Sequence, residues 1–219
     1  LGKLMYSSYV SGFMNVYGEG ITNDSDGNIY ITGYTDSGDL PNINNGFQSK
    51  NGGNYDAFVT KFDNNGKSLW STFIGGYQDE YCSNIEVDDN NNIYVFGHTA
   101  SNDFPLAGNP YQKNLKAWFD GFIAKISPDS KLIWSTYFGG NNFDGYENSI
   151  AYQLAGLQVA NGTVAVAAST LSTDLPVTPD AYQKTIGGAQ DAFIALFNTD
   201  SGDLTYCTYF GGRGIERPY

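Results

Sequence analysis

Chemistry in this chain would have to come from carboxyl groups. The sequence holds 23 Asp and Glu against 11 Lys and Arg, and a single histidine, His98. A hydrolytic triad needs a histidine to shuttle its proton, and a zinc-protease helix needs two. His98 falls at a position where related segments carry Tyr34 or Ser169, so it reads as a surface or packing residue. No H-E-x-x-H, G-x-S-x-G, P-loop or Cys-x-x-Cys is spelled anywhere. Two carboxylates about 5 to 10 Å apart suffice to cleave a glycosidic bond, which leaves a polysaccharide hydrolase or lyase open as the alternative to a binding role. The sequence singles out no such pair. Oxygen side chains at alternate positions make the first half of a calcium loop. "DSDGN" offers Asp24, Asp26 and Asn28, and "DDNNN" offers Asp88, Asn90 and Asn92. The closing bidentate Glu is missing, and a hairpin turn explains the same residues. Calcium is thus the one cofactor these residues raise.

The elements that would position such groups are β-strands. Of the residues 41% are hydrophobic and 16% aromatic, led by 17 Tyr and 14 Phe, which suit a pleated, half-buried surface. No segment sustains a helical period, and Gly, Asn and Asp punctuate the chain, so no helix beyond about two turns is expected. The net charge of -12 comes without a basic run, so nucleic acid is not an expected partner. No apolar stretch approaches the roughly 20 residues of a membrane helix. The chain opens on Leu1, and its acidic, Asn-rich, Lys-poor composition fits a mature form or fragment of an extracellular or cell-surface prokaryotic protein. Cys82 and Cys207 are too few for a disulfide scaffold. Cys82 is placed in a connection and Cys207 in a strand two repeats on, beyond the Cα separation of about 7 Å that a disulfide tolerates.

One strand is written four times: "KLMYSSYVSG", "SLWSTFIGG", "LIWSTYFGG" and "LTYCTYFGG". Tyr6, Trp70 and Trp134 stand 64 residues apart, and Tyr206 follows 72 later. The same spacing of 64 carries "GITNDSDGNIYITGYT" onto "NIEVDDNNNIYVFGHT" and "DAFVTKFDNNGK" onto "DGFIAKISPDSK". Such a period fits one four-stranded propeller blade with a long loop. Within a unit, residues 84–87, 92–99, 120–126 and 132–139 are expected as strands A to D, with D outermost. The long B–C loop carries "TDSGDLP", "TASNDFP" or "TLSTDLP", with Asp39, Asp103 and Asp174, and then Phe47-Gln48, Tyr111-Gln112 or Tyr182-Gln183. Asp56, Asp120 and Asp191 open strand C, as turn or strand caps or as part of a ligand ring across blades. The third unit departs by "VANGT" in place of an Asp-rich turn and by about seven extra residues between Gly140 and Ala160.

The set D-[AG]-F-[VI], [WY]-[SC]-T-[FY]-[FI]-G-G, D-x-x-G-N-x-Y-[VI]-x-G and T-x-S-x-D-[FL]-P followed by [FY]-Q resembles the bacterial and archaeal β-propeller repeats called SBBP repeats. That resemblance implies an all-β chain of four-stranded antiparallel blades. It also implies secreted or cell-surface proteins, often multidomain, in which such repeats accompany adhesion modules and type IX secretion signals.

The expected layout is an outer strand of a preceding blade at 1–12, blades at 13–76, 77–140 and 141–212, and the next connection at 213–219. Three blades are too few to close a ring, so the chain is expected to be part of a larger propeller or to pack against another subunit. The expected function is a non-enzymatic binding or structural module. Its ligand face is formed by the long B–C and D–A loops, with Asp39, Asp103, Asp174, Asp56, Asp120, Asp191, Tyr111 and Tyr182, and meets a protein or glycan at the cell surface.

Overall fold

A computed structural model describes residues 7–144 and 155–216. It contains twelve strands and one 3-10 turn, Ile43–Asn45. β1 (Val16–Asn23), β2 (Ile29–Thr35), β3 (Asp56–Phe62) and β4 (Ser68–Ile74) form the first antiparallel sheet in sequence order. β5 (Glu80–Val87), β6 (Ile93–Thr99), β7 (Asp120–Ile126) and β8 (Leu132–Phe138) form the second. β9 (Ala155–Ala160), β10 (Thr163–Thr170), β11 (Asp191–Asn198) and β12 (Leu204–Phe210) form the third. The first strands β1, β5 and β9 lie side by side across the sheets, which is the arrangement of propeller blades around an axis. The repeated strands β4, β8 and β12, with Trp70, Trp134 and Tyr206, are outermost, as expected.

Blades stack through both faces, so their strands are apolar throughout. Between the first two sheets lie Tyr30, Val59, Trp70, Ile85, Val95 and Phe122. Tyr94, Phe96, Trp134, Val166, Phe193 and Tyr209 fill the second interface. In the first two blades the Trp of the outer strand also reaches across: Trp70 Nε1 donates to Pro128 O at 3.1 Å, and Trp134 Nε1 to Thr199 O at 2.9 Å. Both acceptors lie in the turn between the third and fourth strands of the next blade.

Several sequence expectations are corrected in detail. The first strand of the second blade begins at Glu80 rather than at residue 84, with Glu80 opposite Thr99. A bulge between Cys82 and Asn84 interrupts its alternation and hides the start from a periodicity count. Cys82 is therefore a buried strand residue, not part of a connection, and both it and Cys207 are free thiols. Of the outer strand expected over 1–12, residues 1–6 lie outside the described ones and 7–12 have no strand pairing. Residues 145–154 of the expected insertion also lie outside them. "VANGT" is a tight hairpin: Asn161 and Gly162 take φ of 51° and 76°, as a two-residue type I′ turn requires.

Candidate functional site

The long loops are built from the repeated polar residues. In every blade the Gln of the aromatic-Gln pair ties the loop at both ends. Gln112 Nε2 donates to Asp120 Oδ2 at 2.7 Å, its Oε1 accepts from Gly139 N at 3.1 Å, and its own N–H donates to Thr136 Oγ1. Gln48 and Gln183 repeat this with Asp56, Gly75 and Thr72, and with Asp191, Gly211 and Thr208. Loop N–H groups of Gly52, Lys116 and Gly187 donate to the same Asp oxygen in each blade, Oδ2. Asp56, Asp120 and Asp191 are fully buried and hold the loop.

The T-x-S-x-D segment grips the connection entering the same blade. Asp39, Asp103 and Asp174 accept the N–H of Phe13, Tyr77 and Asn141 at 2.8, 3.0 and 2.8 Å. Ser37, Ser101 and Ser172 accept the next N–H, from Met14, Gln78 and Asn142. The B–C and D–A loops are thereby interlocked on one face. Tyr111 and Tyr182 stand outward on their loops, 41% and 79% exposed. Tyr182 lies against Phe210 of its own outer strand.

Beneath this face lie acid pairs that sequence reading missed. Glu80 and Asp144 follow the Gly-Gly that ends a blade, and each accepts the second glycine's N–H, Gly76 at 2.8 Å and Gly140 at 2.7 Å. Thr99 and Thr170 hydroxyls donate to their other oxygens. The first glycine leaves room for two carboxyls. A methyl group on Gly75 would sit 2.5 Å from Glu80 Oε2 and 2.6 Å from Asp56 Cγ, and one on Gly139 would meet Asp144 and Asp120 alike. Burial pushes Asp56 up to about 6 and Glu80 up to about 7, the latter helped by the Asp56 charge. Burial likewise pushes Asp120 up to about 6 and Asp144 up to about 7, where the Asp120 charge adds to it. Those values would suit a general acid. All four side chains are fully buried, so the pairs serve the fold.

The opposite face carries the turns between the first two strands. Asp24 accepts from Asp26 N, Asn28 N, Asn28 Nδ2 and Tyr30 Oη. Asp88 does the same with Asn90, Asn92 and Tyr94. Burial opposes their charge, yet these hydrogen bonds outweigh it and hold both carboxyls below the ordinary value. Asp88, Asn90 and Asn92 also border a cleft of about 560 Å³ with Lys125, Asn161 and Asp200. Among the described residues no group of three or more His, Cys, Asp and Glu could hold a metal ion.

The interlocked loops also carry exposed aromatic rings. Phe13, Tyr77 and Trp118 are 94%, 53% and 70% exposed. Closer to the first strands, Tyr17, Tyr34, Tyr55 and Tyr81 touch one another with ring centres 4.7 to 6.4 Å apart. His98 is buried, stacked on Tyr81 at 5.1 Å, and burial holds its imidazole down near 3, so it is neutral.

A family model for the SBBP β-propeller repeat matches residues 13–41 and 69–105. The matched segments contain both the first two strands of a blade and the clamp Thr35-Ser37-Asp39 or Thr99-Ser101-Asp103. Those two segments are similar to SBBP propeller repeats. An uncharacterized WD repeat-containing protein of Acanthamoeba polyphaga mimivirus is 26% identical over 143 residues, covering 58% of this chain. The chain spans 10% of that relative's length. Among the described residues no helix is long and apolar enough to cross a membrane.

Proposed function

We propose that this chain is a non-enzymatic interaction module, displayed outside the cell, whose interlocked B–C and D–A loops form the ligand face. The observation that carries this reading is the exposure of Phe13, Tyr77 and Trp118 on the D–A and B–C loops, where the N–H groups of Phe13 and Tyr77 are fixed by hydrogen bonds. Exposed aromatics on a rigid support are the composition of interface centres, where Tyr and Trp contribute most of the binding energy. The SBBP repeats and the WD-repeat relative point the same way, toward partner binding by a propeller. The acids that could have argued for hydrolysis are buried under the loops or occupied in turns.

The purified chain should be applied to protein, peptide and polysaccharide arrays and read for both retention and cleavage. Retention without cleavage, weakened at least about tenfold by Trp118→Ala or Tyr77→Ala, is the expected result. Cleavage of a polysaccharide, or retention indifferent to both substitutions, would sink the reading.

A further inference from the structure

The four tyrosines come from three separated stretches of the first blade and one of the second. Tyr17 and Tyr34 are register partners on β1 and β2, Tyr55 immediately precedes β3, and Tyr81 is the second residue of β5. Tyr17 and Tyr34 stack at 4.7 Å, and Tyr34 meets Tyr81 at 4.8 Å across the blade boundary. The belt continues through His98 and Phe119 to Phe143. The repeat itself does not require these rings. Where the first two blades have Tyr34 or His98 and Tyr55 or Phe119, the third has Ser169 and Gln190, and its strands pair as regularly.

Carboxylates border the exposed end of this belt. Glu19 acts on Tyr34, and Asp36 and Asp79 act on Tyr55, each adding to burial in raising the hydroxyl above its ordinary value. Glu19 occupies the bulge of β1 between Gly18 and Gly20, is exposed, and has its own carboxyl raised by partial burial. Tyr17 is 42% exposed, and Tyr34, Tyr55 and Tyr81 are half-buried. Tyrosine rings beside fixed negative charge attract a guanidinium or ammonium group, and Arg in particular stacks on such rings while pairing with the carboxylate. A chain of net charge -12 adds long-range attraction of the same sign.

We propose that the patch of Tyr17, Tyr34, Tyr55 and Tyr81 with Glu19, Asp36 and Asp79 docks an Arg- or Lys-bearing segment of a partner protein. This rests on the reading of the loop face as the ligand face and names the chemistry of what it takes. A glycan is the competing occupant. It would bring no cation to pair with Glu19, Asp36 and Asp79, whereas a guanidinium or ammonium group answers both the charge and the rings.

The test uses the whole chain and fluorescence anisotropy with a labelled peptide of Gly-Arg repeats, its Gly-citrulline counterpart, and a labelled cello-oligosaccharide. The Gly-Arg peptide is expected to bind, the citrulline peptide to bind at least about tenfold more weakly, and Tyr55→Ala and Glu19→Gln each to weaken the Gly-Arg complex several-fold. Asp129→Asn removes the same unit of charge from an exposed turn, where Asp129 pairs with Lys131, and is expected to leave binding unchanged. Glu19→Gln is isosteric at an exposed position, so it keeps the test decisive should Tyr55→Ala fail to fold. Equal binding of the citrulline peptide, equal loss in Asp129→Asn and Glu19→Gln, or indifference to Glu19→Gln would each overturn the proposal. Binding of the oligosaccharide alone, lost in Trp118→Ala, would overturn it while leaving the loop face intact as the ligand face. Failure of every probe here, together with arrays that show no retention, would remove both.

Discussion

At the residue scale the acid pairs decide how the protein answers to pH. An acid whose pKa is raised in the fold binds its proton more tightly there, so its contribution to stability is complete below the unfolded value and is lost as pH rises through the folded one. For Glu80 that window runs from the ordinary 4.5 to about 7, and for Asp56 from 3.8 to about 6. Asp24 and Asp88 are lowered and act oppositely, stabilising above 3.8 and losing that contribution as the solution turns more acid. The melting temperature is therefore expected to peak in mildly acidic buffer and to fall toward pH 8. Glu80→Gln imitates the protonated side chain. It should flatten the alkaline limb and stabilise the protein at pH 8 by on the order of 2 kcal/mol, since one pKa unit is worth about 1.4 kcal/mol. A calorimetric series from pH 4 to 8 that shows the same slope in both proteins would contradict this. The repeated acid escaped sequence comparison because its counterpart in the first blade is Val16, so two of three copies looked like chance. Asp56, Asp120 and Asp191 were visible as a repeat, but not that each would spend its oxygens on a Gln eight residues earlier and the loop backbone.

At the scale of elements, the strands were legible because each carries apolar residues at a fixed repeat, and the outermost strand was named by its Trp. Strand starts were not. The bulges in β1 and β5 insert a residue just where alternation would mark the beginning. The belt of tyrosines was invisible for a different reason: residues 17, 34 and 55 are contiguous only after three strands have paired. Two expectations follow for the elements. Ser101→Ala removes the acceptor that holds the Gln78 N–H at 2.8 Å. Hydrogen exchange at Gln78 should accelerate while the strands of the same blade stay protected, at a stability cost of about 1 kcal/mol. Gly162→Ala would bring its methyl into ordinary contact with Thr199 Oγ1 at 3.9 Å but keeps a φ of 76° that an L-residue resists. Its cost of about 1 kcal/mol should appear in thermal unfolding without any change in packing.

At the scale of the molecule, the three sheets are tied in series, each to its neighbour. Circular dichroism is expected to show β structure with no appreciable helical signature, given twelve strands and one short turn of 3-10 helix. Trp134 packs in the interface between the second and third blades and donates to Thr199 O. Trp134→Ala should cost about 3 to 5 kcal/mol. It should also detach the third blade's unfolding from the first two, read as a second calorimetric transition; a single transition merely shifted to lower temperature would mean the blades melt as one. Trp134 reaches one blade ahead, and Trp70 makes the same reach from the blade before. Residues 77–140 copied in tandem therefore bring both the donor, Trp134 Nε1, and the acceptor, Pro128 O, of such a seam. Duplication of that unit in the gene by unequal exchange would lengthen the array while keeping the Trp bond at the new seam. Inserting a second copy of residues 77–140 after residue 140 should accordingly give a soluble chain with one more blade, and an insert that stays unfolded would show that the seams are not interchangeable.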